Sequence, residues 1–152
     1  MLIETGFAQI TQALLWPVLI LVALGFAYAL WTAGVTLMDA LLRRRGRRLL
    51  QATPECRLEQ LELQVLRQLE PARLLGRVSP LLGLIATMVP LGPALQQVAA
   101  GQGHQALAVF GSAFSGVVLA MTAAAIALVV YSVRRRWLLA ELLDIKKERG
   151  WL

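Results

Sequence analysis

"SPLLGLIATMVPLGPAL", residues 79–95, is the stretch on which the fold turns. It is apolar enough to cross a bilayer, yet it holds Ser79, Thr87 and three prolines, Pro80, Pro90 and Pro93. Helix interiors avoid proline, which deletes a backbone donor and clashes with the carbonyl one turn back. Interrupted membrane helices are tolerated where they are buried in protein or line a cavity. The stretch therefore implies a membrane helix with protein against it, its outer half bent by Pro90 and Pro93 around Leu91-Gly92.

Charge placement extends this reading to the whole chain. Of 152 residues, 58% are hydrophobic and only 16% charged, against about a quarter charged in an ordinary soluble domain. No Asp, Glu, Lys or Arg occurs from Thr5 to Met38 or from Val78 to Val133. A spanning helix needs roughly 20 apolar residues. The first window holds one helix, over 14–37. The second holds two, over 79–98 and 106–133, divided by the polar "AAGQGHQ" of 99–105. The fold expected is an all-α membrane protein with three transmembrane helices.

All fifteen Lys and Arg lie in 43–77, in "RRR" at 134–136, or in the tail. The positive-inside rule then puts the N-terminus and the 99–105 loop outside and residues 39–77 and 134–152 in the cytoplasm. The chain divides accordingly into 1–38, the outer N-terminus and first span; 39–77, a cytoplasmic amphipathic segment; 78–133, a two-helix core; and 134–152, a cytoplasmic helical tail. The net charge of +6 reports topology and some affinity for anionic lipid headgroups. It does not point to nucleic acid, because the arginines hug helix ends and are not interleaved with aromatics. The first span lacks a positive n-region and is too long for a cleaved signal peptide. Cys56 is single, which excludes a disulfide framework.

In the cytoplasmic segment Leu58, Leu61, Val65 and Leu69 recur at helical spacing after Pro54, and Pro71 is expected to interrupt or restart that helix. Leu138, Leu142 and Ile145 repeat in the tail, which should prolong the third span without a break. These amphipathic stretches either pack on each other, lie on the membrane surface or join subunits.

Small residues mark the third span every fourth position: Ala108, Ser112, Gly116, Ala120 and Ala124. Ser79, Gly83 and Thr87 do the same in the second. In lipid there is little hydrophobic drive between helices, so close backbone approach at small residues holds them together. Three helices offer little mutual surface for two such rows, which favours an oligomer. Thr87 shares the Gly83 face, and Ser115 and Thr122 share another; each hydroxyl either serves an interface or bonds back to its own helix.

The second span, followed by a short loop and "AFSGVVLAMTAAAIALVVYSVRRRW" at 113–137, resembles the MotA/TolQ/ExbB proton-channel family. The resemblance covers residues 76–140 and looks like a short ExbB/TolQ-type member. It implies a homopentamer around a dimer of an ExbD/TolR-like single-span partner, with ions passing at the interface on that partner's membrane aspartate. By position, Thr87 matches the family's second-helix threonine and Ser115-Gly116 its third-helix hydroxyl motif. Gly116 stands where a second hydroxyl is expected, and Thr122, two turns from Ser115, is the candidate substitute.

The function expected is a subunit of an ion-driven, proton-using motor or energiser in a bacterial or archaeal inner membrane. The alternative is a non-conducting scaffold or accessory subunit of a transporter complex. Enzymatic chemistry is not expected: there is no metal-ligand cluster, no nucleophile–His–acid set and no phosphate-cradling loop, and no cofactor is implied. His104, the single histidine, falls in the outer loop.

Overall fold

A computed structural model describes residues 2–46, 49–50 and 57–150, the side chains of 2–5, 7 and 8 excepted. Three helices follow one another: α1 (Leu2–Arg43), α2 (Leu58–Ala99) and α3 (Gly103–Glu148). Each is long and apolar enough to cross a membrane, so the chain has the architecture of an all-α, multi-pass membrane protein. Pro54 and Cys56 lie outside the described residues.

All three helices outrun the expected spans. α1 begins well before residue 14 and carries the exposed Gln9, Thr11 and Gln12 in its early turns. Polar residues there end the apolar window but not the helix, because none of them is a breaker. α2 corrects the expectation of a break at Pro71. The helix runs unbroken from Leu58 through Pro71, Pro80, Pro90 and Pro93. Its buried row explains why: Leu61, Val65, Leu69, Ala72, Gly76, Ser79, Gly83 and Ala86 keep one 3–4 spacing across the first two prolines. A break would throw the two halves of that row out of phase. Pro71 itself is exposed, and α2 is held against α3 on both sides of it. α3 runs into the tail as one helix, as the tail's apolar spacing implies.

α2 and α3 form a long antiparallel hairpin closed by residues 100–102. Gly101 makes that turn with φ +77°, a left-handed conformation that costs glycine nothing. The backbone N–H groups of Ala100, Gly101 and Gln102 bond to the carbonyls of Gln96, Val98 and Gln97, satisfying the end of α2.

The hairpin's two halves are packed differently. In the charge-free half the facing residues are Ser79, Gly83, Ala86 and Ala94 on α2, and Ala106, Ala113, Gly116, Ala120, Ala123 and Ala127 on α3. Beyond the arginines, Leu61, Val65 and Leu69 meet Leu138, Leu142 and Ile145, with Leu50 closing the cluster. The two amphipathic stretches thus pack on each other.

α1 leans on this hairpin with one narrow stripe, Val18, Val22, Gly25, Ala29 and Thr36. A Cβ on Gly25 would stand 3.1 Å from Leu75 Cδ1 and 3.6 Å from Ser79 Oγ, so α1 crosses α2 there. Most other described side chains of α1 are exposed, Trp16 and Trp31 among them.

Candidate functional site

The small-residue rows meet each other inside the chain. A Cβ on Gly83 would lie 3.0 Å from the Ala120 methyl, with the Val117 backbone at 3.7 Å behind it. One on Gly116 would lie 3.5 Å from Leu19 Cδ2 and 3.7 Å from the Ala86 methyl. Ser79, Gly83, Gly116, Ala120 and Ala124 are all buried in this three-helix contact. Three helices therefore hide much of both rows, contrary to the expectation that they could not.

The outer members of the third-helix row behave otherwise: Ala108 and Ser112 are exposed. Geometry gives the reason. A four-residue step overshoots one helical turn by about 40°, so a long every-fourth row winds away from a straight partner. The seam instead alternates steps of three and four through Ala113, Gly116, Ala120, Ala123, Ala127 and Val130.

A second α3 row at the same alternating spacing faces outward: Ala108, Ser112, Ser115, Leu119 and Thr122, every one exposed. Three of its five members carry hydroxyls. Each donates within its own helix, Ser112 to the Val109 carbonyl at 2.8 Å, Ser115 to Ser112 at 2.7 Å and Thr122 to Val118 at 2.7 Å. On α2, half-buried Thr87 donates to the carbonyl of Leu84 at 2.8 Å, with Gly83's at 3.4 Å. A hydroxyl has one hydrogen and two acceptor lone pairs. With the hydrogen committed, these oxygens can still accept from an incoming donor. They can donate to an anion only by giving up the bond to their own helix.

Thr122 shares the exposed row with Ser115, while Gly116 points the other way, into the contact with α1 and α2. Thr87 borders the buried Gly83–Ala86 face. Pro80, Pro90 and Pro93 are half-buried within α2.

A polar cluster at the basic end has no counterpart in the sequence reading. The Arg134 guanidinium donates to Asp39 Oδ2 at 2.8 Å, tying the end of α1 to α3. One turn on, the Arg43 guanidinium sits 5.4 Å from the centre of the Trp137 ring, within cation–π range. Asp39 ends the first charge-free window and Arg134 the second, so reading both as marks of one level would have paired them.

Glu141 is buried on α3, and its Oε2 accepts the backbone N–H groups of Leu49 and Leu50, each at 2.9 Å. It anchors the α1–α2 connection onto the hairpin. Its place beside Leu142 on the tail's apolar face is a sequence signal, but its partners are backbone groups more than 90 residues away.

Comparison with protein-family models, with curated proteins and with solved structures gives no match to this chain.

Proposed function

We propose that the chain is one subunit of an ion-driven, proton-using energiser that assembles as a homopentameric ring around a dimer of an ExbD/TolR-like single-span partner. The reading begins from the resemblance of residues 76–140 to the MotA/TolQ/ExbB family. The observation that carries it further is the outward row Ser112, Ser115 and Thr122 on α3, in a two-span stretch with no carboxylate from Val78 to Val133. Intramembrane carboxylates normally carry protons through a membrane. A chain without one in its spans needs a partner to supply it.

The hydroxyl geometry suits that division of labour. A protonated carboxyl donates one hydrogen bond, and a back-bonded Ser or Thr oxygen can accept it. A carboxylate cannot be served the same way, so the row favours the partner's aspartate in its neutral, proton-carrying form. Ala108 leaves room beside the row for close approach of another helix. In this reading Thr87 stands near the same path, the N-terminus lies outside a bacterial or archaeal inner membrane, and the C-terminus lies in the cytoplasm.

Purification in mild detergent, with identification of what stays bound, tests the proposal. A companion with one transmembrane helix and one membrane aspartate is expected, and vesicles holding both should take up protons where vesicles holding this chain alone do not. A second reading, a non-conducting scaffold, draws on the hydroxyl donors all bonding within their own helices. Tight vesicles with the companion present would select it.

A further inference from the structure

Between α1 and α3, at the basic end, runs a groove of about 570 Å³. Ala33, Leu37 and Ala40 form one wall, and Val129, Val133 and Trp137 lie on the other. Thr36 also lines it, but its hydroxyl is committed to the Thr32 carbonyl at 2.7 Å, so that wall presents no free donor. From Ile126 to Trp137 the groove follows α3 for about 16 Å at 1.5 Å per residue. Its walls are predominantly apolar, which suits an acyl chain lying along it.

Both walls end in arginine. Arg44 follows Leu37 and Ala40 at seven and four residues, and its N–H still bonds to the Ala40 carbonyl at 3.3 Å. Arg136 follows Val129 and Val133 at seven and three. Both are exposed, and neither pairs with a carboxylate among the described residues. Beneath them Arg43 lies over Trp137, and Arg134 is paired with Asp39, which offsets one of the four charges. Arg43 Nη1 and Arg134 Nε are buried and have no hydrogen-bond partner among the described residues. Buried donors are nearly always satisfied, so two orphans in one cluster call for a ligand that can meet them.

We infer that this groove binds one anionic phospholipid, its acyl chain between α1 and α3 and its phosphate between Arg44 and Arg136, above Arg43 and Arg134. The match is one of charge and shape together: an apolar slot open to lipid, cationic at one end only. Basic pockets between membrane helices hold anionic headgroups in this way. Arg43 and Arg134 gain acceptors for their unpaired N–H groups, and Trp137 covers the junction between chain and headgroup. The site stands apart from the functional proposal, since a conducting subunit and a scaffold could both carry it.

The test uses the full chain in mild detergent, with any companion that copurifies, offered dioleoyl phosphatidylglycerol or dioleoyl phosphatidylcholine. Native mass spectrometry reads the lipid retained. At least tenfold preference for phosphatidylglycerol is expected. The double variant Arg44→Gln/Arg136→Gln, at two exposed positions, should lose that preference while keeping its helical content. Ala125→Phe, which places a ring in the groove from an exposed position, should abolish retention of both lipids. Equal retention of the two lipids by the unaltered chain would overturn the site, as would full preference in the double variant. So would an Ala125→Phe chain that keeps its lipid but changes its oligomeric mass, because the groove would then hold protein.

Discussion

One pair of helices uses two packing codes. In its charge-free half, α2 and α3 touch through Gly83, Ala86, Gly116 and Ala120; past Arg77 and Arg134 they touch through Leu61, Val65, Leu69, Leu138, Leu142 and Ile145. Both helices run unbroken through the change and their buried rows keep phase, so the difference comes from the surroundings. Lipid tails are as apolar as leucine, so side-chain burial there gains little and small residues win by letting backbones approach. In water the gain grows with apolar area removed from solvent, and large side chains win. The exchange of code marks where the hairpin leaves the apolar environment, independently of the arginines that mark it in sequence.

Opposite substitutions should therefore damage the two halves. Leu138→Ala removes a side chain that is 1% exposed and should destabilise the hairpin by about 2–5 kcal/mol. Val130→Ala, on the same helix in the charge-free half, should cost clearly less. Thermal unfolding in mild detergent reads both, and equal losses would break the comparison. Gly83→Leu is the converse change. Its Cβ would already stand 3.0 Å from the Ala120 methyl, so the helices must part, at about 1–3 kcal/mol. A neutral Gly83→Leu would mean that the close approach stabilises nothing.

Smaller effects sharpen the picture at the charged half. Glu141→Gln keeps an acceptor oxygen for Leu49 and Leu50 but removes the charge. Bonds to charged groups exceed neutral ones by roughly 1 kcal/mol, so a loss of about that size is expected. Faster hydrogen exchange at the Leu49 and Leu50 amides would localise it. The Lys146–Glu62 pair, at 2.9 Å with the Glu62 side chain 48% exposed, should matter least. Lys146→Ala should change stability by under about 1 kcal/mol, and only at low salt.

The three spans and the unbroken run of α3 into the tail are legible in sequence, because charge-free windows and apolar spacing are local properties. The passage of α2 through Pro71 is not, since the argument against proline is local while the row that overrides it extends from Leu61 to Ala86. Partner choice is illegible for a related reason. Ala108, Ser112, Gly116, Ala120 and Ala124 form one row by counting, yet the turn of the helix divides them between an outward face and the internal seam. Glu141 is visible as a carboxylate on an apolar face, but nothing local announces that it holds a distant connection.

That division of the row leads to the decisive measurement. If the inward residues hold the hairpin together and the outward hydroxyls serve a carboxylate-bearing partner, then Ser115→Ala/Thr122→Val should leave folding intact, because both positions are exposed, and assembly intact, because neither change adds bulk to the row. Proton uptake is measured in vesicles containing this chain and its companion, with assembly checked in the same sample. Uptake is expected to fall at least about tenfold, the equivalent of 1.4 kcal/mol of lost stabilisation. Full uptake by the assembled double variant would contradict the role given to the outward row and leave those hydroxyls as back-bonded residues of a lipid-facing helix.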